Sequence, residues 1–148
     1  MFKPKKILVP TDFSEYSDKA LQKALDIAKE EGSEILLFHV IHADFQTCVI
    51  DYCFTVEEIE MVKRRMFAAA TENMQKQLDK LSLSKEVNVS TEVRNGIPYD
   101  EILKYEEEKG VDLIVISSHG RSAIKTYLMG SVTSRVLKCA KCEVLLVK

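Results

Sequence analysis

Two rhythms of hydrophobic and polar positions alternate along this chain. "KKILVP" is a short apolar run rich in branched side chains, which reads as a buried strand. In the following "TDFSEYSDKALQKALDIAKEEG", Ala20, Leu21, Ala24, Leu25 and Ala28 recur at helical spacing. Ser14 is placed to cap that helix, Glu15 lies in its first turn near the positive end of the dipole, and Gly32 supplies a left-handed stop just after the last periodic residue. "EILLFHV" reads as a second buried strand, and residues 41–55 then break the pattern. A long second helix is predicted from "VEEIEMVKRRMFAAATENMQKQLDKLS", with Val56, Ile59, Val62, Met66, Ala70, Met74, Leu78 and Leu81 on one stripe. That stripe, flexible thioethers included, is expected to pack into the core.

"VNVSTEV" alternates like a strand exposed on one side, which suits a sheet edge. In "RNGIPYDEILKYEEEKG", Gly96 permits a sharp turn, Pro98 fits the first turn of a helix, and Gly110 ends it. "VDLIVIS" is a fourth strand, "SVTSRVLKCAK" a helix and "EVLLV" a final strand. Strand and helix thus alternate throughout, which predicts an α/β, doubly wound, five-stranded parallel sheet with helices on both faces, Rossmann-like in class. A length of 148 residues suits a single domain covering 1–148. There is no internal repeat, low-complexity segment or linker, and residues 41–55 form the only long irregular connection.

The formal charge of −2 supplies no electrostatic reason to bind nucleic acid, and the short cluster of Lys3, Lys5 and Lys6 reads as a solvated strand start. No apolar run approaches the roughly 20 residues that span a bilayer. The N-terminus lacks a signal-peptide core with a small-residue cleavage site, so no membrane association and a cytoplasmic location are expected. Four cysteines need no disulfide framework in such a compartment. Cys139 and Cys142 form a CxxC that ends a helix, whereas a redox pair opens one. Zinc would need Cys48 and Cys53 brought close, so spectator thiols are the preferred reading.

In an open parallel sheet, ligands bind outside the carboxyl ends of the strands where strand order reverses, so the loops to watch are Pro10 to Asp12, Val40, Arg94 to Pro98, and Ser117 onward. Gly120 lets backbone approach a phosphate, and Gly130, Ser131, Val132 and Thr133 open the last helix, whose free N–H groups and dipole favour an anion. The hydroxyls of Ser131 and Thr133 add donors, and Asp12 is suited to ribose hydroxyls. A turn followed by an N-cap accounts for the same residues, and Asp12 beside Ser14 for a helix start, so spacing alone leaves both readings open. His39 lies within a strand and reads as structural, whereas His119 falls in the candidate site. No GxGxxG follows the first strand and no GxxxxGK[ST] occurs, which sets aside a dehydrogenase or a P-loop enzyme.

"KKILVPTDFSE", "ILLFHVI", "NGIPYDEIL", "SSHGRSAIKTYLMGSVTSRVL" and "VLLVK" together resemble the universal stress protein family over essentially the whole chain. The ATP-binding branch of that family carries Gly-x2-Gly-x9-Gly-[Ser/Thr]; here Gly120, Gly130 and Ser131 match, and Ser117 stands in place of the first glycine. A Cβ at Ser117 is expected to crowd the ribose or to demand an unfavourable backbone angle. The resemblance implies an adenine-nucleotide-hydrolase-like fold. It puts adenine against the backbone at Val40, ribose near Asp12 and Ser117, and phosphates on Gly120, Arg121, Gly130, Ser131 and Thr133. Pro10 and Thr11 would shape the floor, with Ser118, His119, Ser122 and Val132 completing the set. It further implies ATP, AMP or ADP as ligand, Mg²⁺ or Mn²⁺ beside a triphosphate, and homodimers paired through the C-terminal strand, whose Glu143 stands where proline is common.

Three functions follow from that resemblance: a nucleotide-dependent stress-response or signalling module, a slow ATPase or autophosphorylating enzyme in which Asp12 or His119 with a metal orients water, and a dimeric interaction module without nucleotide. No obvious nucleophile or base is poised for fast turnover, so any ATP hydrolysis is expected to be weak. ATP pyrophosphatases, which share an adenine site, carry SGGxDS after the first strand where this chain has "PTDFSE".

Overall fold

The short apolar runs form strands and the amphipathic ones form helices, in the order β1 (Lys6–Pro10), α1 (Glu15–Glu31), β2 (Glu34–Ile41), α2 (Val56–Asp79), a 3₁₀ turn (Ser82–Lys85), β3 (Val89–Asn95), α3 (Pro98–Lys109), β4 (Leu113–Ser117), α4 (Ser131–Cys139) and β5 (Glu143–Val147). The structure is a computed structural model and describes residues 1–45, 54–120 and 129–148. All strands pair in parallel in the order β3-β2-β1-β4-β5. Winding proceeds from β1 through β2 to β3 on one side, then crosses to β4 and β5 on the other. The reversal point therefore lies between β1 and β4, where Ile7 pairs with Leu113 and Leu8 with Ile114.

Because side chains alternate across a strand, the two faces build separate cores. On one face Ile7, Val9, Ile35, Leu37 and Val115 meet Leu21, Ala24 and Leu25 of α1 and Met74 and Leu78 of α2. On the other, Leu8, Leu36, Phe38, Ile114 and Ile116 meet Ile102 and Tyr105 of α3 and Val136 of α4. β3 lies at a sheet edge, as its alternation predicts. Ser14 caps α1 by accepting from the Ser17 N–H, and Gly32 ends the helix at φ 74°. Thr55 and Glu58 form a reciprocal capping box at the start of α2.

One expectation needs correction. The apolar stripe of α2 is buried at Ile59, Ala70, Met74 and Leu78, but Val56, Val62 and Met66 are exposed. At 24 residues the helix is about 36 Å long, against about 26 Å for the eight-residue β2 strand. The core can cover only part of it, and in the first half Ile59 is buried while Val56, Val62 and Met66 remain outside. Gly96 bends the chain between β3 and α3, as expected, without a left-handed backbone. It is small because a Cβ there would lie 2.8 Å from Glu101 Cγ.

Both described cysteines are free; Cys139 is exposed and Cys142 half-buried. Cys48 and Cys53 lie outside the described residues. Burial, followed by the neighbouring Glu106 carboxylate, pushes the Cys142 thiol up to about 12. Glu106 itself is buried and accepts from the backbone N–H groups of Lys141 and Cys142, each at 2.7 Å, which fixes the turn into β5. Since the thiolate is the nucleophile, iodoacetamide at about pH 8 is expected to alkylate Cys139 well before Cys142, as read by peptide mass mapping. Equal rates at the two positions would contradict this assignment. Among the described residues no helix is long and apolar enough to cross a membrane.

Candidate functional site

A cavity of about 300 Å³ opens beside the ends of β1 and β4, at the point where the winding reverses. Pro10, Thr11 and Asp12 reach it from β1, and Val40 from β2. Ser117, His119 and Gly120 follow β4, and Gly130, Ser131, Val132 and Thr133 begin α4. These expected residues are thus brought together around one space. Ser118 is not in the lining: its N–H donates to the Val147 carbonyl at 2.9 Å and its carbonyl accepts from the Gly130 N–H at 2.9 Å, tying the start of α4 to the sheet. Arg121 and Ser122 lie outside the described residues. Arg94 does not line the cavity; its guanidinium is held by Glu92 and Glu108 over the Tyr105 ring.

The turn after β1 is built by side chains bonding back to backbone. Asp12 Oδ1 accepts from the Ser14 N–H at 3.0 Å and from its hydroxyl at 2.5 Å, an Asx turn leading into the cap of α1. Between them Phe13 sits at φ 66°, a left-handed conformation rare for a bulky side chain. Its ring packs on His39 with centroids 4.3 Å apart. His39 Nδ1 lies 2.7 Å from the Thr11 carbonyl oxygen, which only accepts, so Nδ1 carries the proton.

The segment after β4 departs from expectation in three ways. Ser117 shows no left-handed backbone, because it is still the last residue of the strand, and its hydroxyl donates to the His119 carbonyl at 2.7 Å. The Thr133 hydroxyl is spent on the Ser117 carbonyl at 2.8 Å, so its hydrogen does not point into the cavity. Gly120 has an immediate neighbour of this chain to accommodate: a Cβ there would lie 2.6 Å from Asp12 Oδ2.

Gly130 is the N-cap of α4 and makes no side-chain cap, so among the described residues no side chain caps the first-turn N–H groups, which are free to meet an acceptor in the cavity. His119 Nδ1 is buried and makes no hydrogen bond among the described residues, with its ring edge-on to Tyr16 at 5.5 Å. An uncapped helix start on the wall of the cavity, with His119 beside it, fits an acceptor-rich anionic group. No Lys or Arg is among the described lining residues.

The lining also includes Pro98, from the expected loop at 94–98, and Ser17, Phe38, His39, Ile102 and Ile116, none of which the sequence marked as a ligand contact. Ser17 lies three residues before Ala20, on the same face of α1 as the apolar stripe, so its inward direction was readable. Phe38, Ile102 and Ile116 read only as core.

Comparison with known proteins returns a family. The sequence model of the "Universal stress protein family" matches residues 3–148. Universal stress protein MJ0577 of Methanocaldococcus jannaschii is 32% identical over 97% of this chain and 94% of its own. Its solved structure superimposes with a TM-score of 0.83, at 33% identity and covering 99% and 97% of the two chains. Universal stress protein UspA from Lactobacillus plantarum gives a TM-score of 0.84 at 25% identity, with full coverage of both chains. More distant is the universal stress protein from Archaeoglobus fulgidus, solved in complex with dAMP, with a TM-score of 0.62 at 19% identity over 99% and 100% of the chains. That last likeness is one of fold.

Proposed function

This chain belongs to the universal stress protein family, and we propose that it is an adenine-nucleotide-binding member whose occupancy by ATP, ADP or AMP sets its interactions in a stress response. The observation that carries this reading is the meeting of the uncapped start of α4, His119 and Asp12 around one cavity. The volume of about 300 Å³ is at the small end of ligand sites, which suits a nucleoside with its phosphates directed outward. That the dAMP complex shares this fold supports the choice of base.

In this reading adenine lies against the backbone at Val40 and against Phe38, Ile102 and Ile116. Asp12 accepts from ribose hydroxyls, with Ser117 alongside. The α-phosphate and those beyond it meet the N–H groups at 131–133, the Ser131 hydroxyl, Gly120 and His119, with Arg121 contributing charge. Mg²⁺ or Mn²⁺ beside a triphosphate would supply positive charge to offset that of the phosphates, with Asp12 the nearby carboxylate of this chain. β5 is the last strand of the sheet, and its apolar "EVLLV" leaves an edge suited to pairing with a second copy in a homodimer.

Denaturing release of small molecules from freshly purified protein, read by mass spectrometry, tests this reading. Adenine nucleotide in near-equal amount to protein is the expected outcome, and protein that releases none and takes up none from added ATP would remove it. A turnover assay on the loaded protein then separates a binding switch from a slow ATPase, for which Asp12→Asn and His119→Ala would each abolish hydrolysis.

A further inference from the structure

One buried amide joins the turn after β1 to a helix that contributes nothing to the cavity wall. Gln77 of α2 is 2% exposed, within the stripe that also buries Met74 and Leu78. Its Oε1 accepts from Thr11 Oγ1 at 2.8 Å, while its Nε2 donates to Asp18 Oδ1 at 2.7 Å and to Ser17 Oγ at 3.2 Å. Thr11 and Ser17 both line the cavity. The other Asp18 oxygen meets Lys80, also on the second-helix side, at 3.4 Å.

Gln77 lies on the buried stripe of α2, yet its surroundings are polar: two hydroxyls and a carboxylate. Burial of an amide is tolerated only when its donors and acceptor are used, and all of them are used here. The Thr11 hydroxyl has one hydrogen; Gln77 Oε1 at 2.8 Å is its nearer acceptor, with Ser17 Oγ at 3.0 Å. With that hydrogen turned toward α2, a Thr11 lone pair accepts the Phe13 N–H at 3.1 Å. Phe13 is the left-handed residue, so the strained step of the turn is anchored through Thr11 to Gln77. Asp12 lies between the two anchored residues, with its carboxylate against Gly120.

We infer that Gln77 is a positioning residue for nucleotide binding: it orients the Thr11 hydroxyl, holds the turn at residues 11–13, and so sets Asp12 where the ribose meets it. α2 thereby enters the binding equilibrium without touching the ligand. This rests on the adenine-nucleotide reading of the cavity.

Calorimetric ATP affinity of the wild type, Gln77→Met, Thr11→Val and the double variant, with the urea stability of each, tests it. Met matches the volume of Gln and leaves out only the hydrogen bonds. Each single substitution is expected to weaken ATP binding about tenfold, the scale of one unmade buried hydrogen bond. The double variant is expected to bind no more weakly than Thr11→Val alone, because both changes break one chain of contacts. Thr11→Ser, which keeps the hydroxyl, is expected to retain near wild-type affinity and probes the same chain from its other end. Unchanged affinity in Gln77→Met, losses that multiply in the double variant, or a Thr11→Ser as weak as Thr11→Val would each overturn the inference while leaving nucleotide binding intact. A wild type that binds no nucleotide would overturn the functional reading, and this inference with it.

Discussion

Gly130→Asp is expected to abolish nucleotide binding in a protein that folds at least as stably as the wild type. The N-cap position of α4 has φ −57° and ψ 149°, close to the angles of Ser14 and Thr55, which cap α1 and α2 with their side chains. An added Cβ would find its nearest neighbour, the Ser118 carbonyl, at 3.7 Å, an ordinary contact. Aspartate is a favoured N-cap, and its charge at the positive end of the helix adds about 0.3–1 kcal/mol. The same carboxylate would occupy the helix start that a phosphate must use. Two like charges about 4 Å apart at an effective dielectric of about 20 repel by about 4 kcal/mol. That corresponds to about two to three orders of magnitude in affinity. A urea midpoint equal to or above wild type, together with no detectable ATP heat, is the predicted pair of results. Retained affinity would place the phosphates away from α4.

Phe38→Ala is expected to cost about 3–5 kcal/mol of stability, a large share of the roughly 5–15 kcal/mol typical of a folded domain. Phe38 is 1% exposed in the second core and stacks on Tyr105 with centroids 4.4 Å apart and planes 5° apart. It also walls the cavity. Truncation therefore joins a new void to an existing one, and water can enter from the open side. Tyr105 reports this directly, since burial, reinforced by the Glu92 charge, pushes its phenol up to about 12. Opening the site to water favours the phenolate, so the Tyr105 titration should move down in Phe38→Ala, as read from phenolate absorbance against a Tyr105→Phe control. A lower urea midpoint at unchanged m-value with that shift is the expected outcome; a loss below about 1 kcal/mol would contradict the core assignment of Phe38.

Most of the fold was legible because it depends on short-range rules. The period-two and period-3.6 runs mark every sheet strand and all four helices of the described chain, and Ser14, Gly32, Pro98 and Gly110 sit where cap chemistry puts them. The stripe of α2 misled because periodicity reports which side chains share a face, not how far the neighbouring sheet extends under that face. Val56, Val62 and Met66 share the face of Met74 but lie beyond the core.

The candidate site was legible where a loop residue follows a strand end, as with Asp12 and Gly120. It was not legible where the wall is made of core residues seen from their other side, as with Phe38 and Ile116. Ser117 illustrates a second limit: a glycine replaced within a motif suggests backbone strain, yet here the position is ordinary strand backbone. The strain lies instead at Phe13, which no local pattern marks. Gln77 went unmarked because its partners Thr11, Ser17 and Asp18 are about 60 residues away in sequence and meet it only through the packing of two helices.

Titration of nucleotide-free wild-type protein with ATP and with GTP in the presence of Mg²⁺, followed by calorimetry, tests the central claim most directly. Saturable heat for ATP at one nucleotide per chain, with GTP much weaker, is the predicted result. No heat with ATP, or equal affinity for both bases, would contradict an adenine site between β1 and β4.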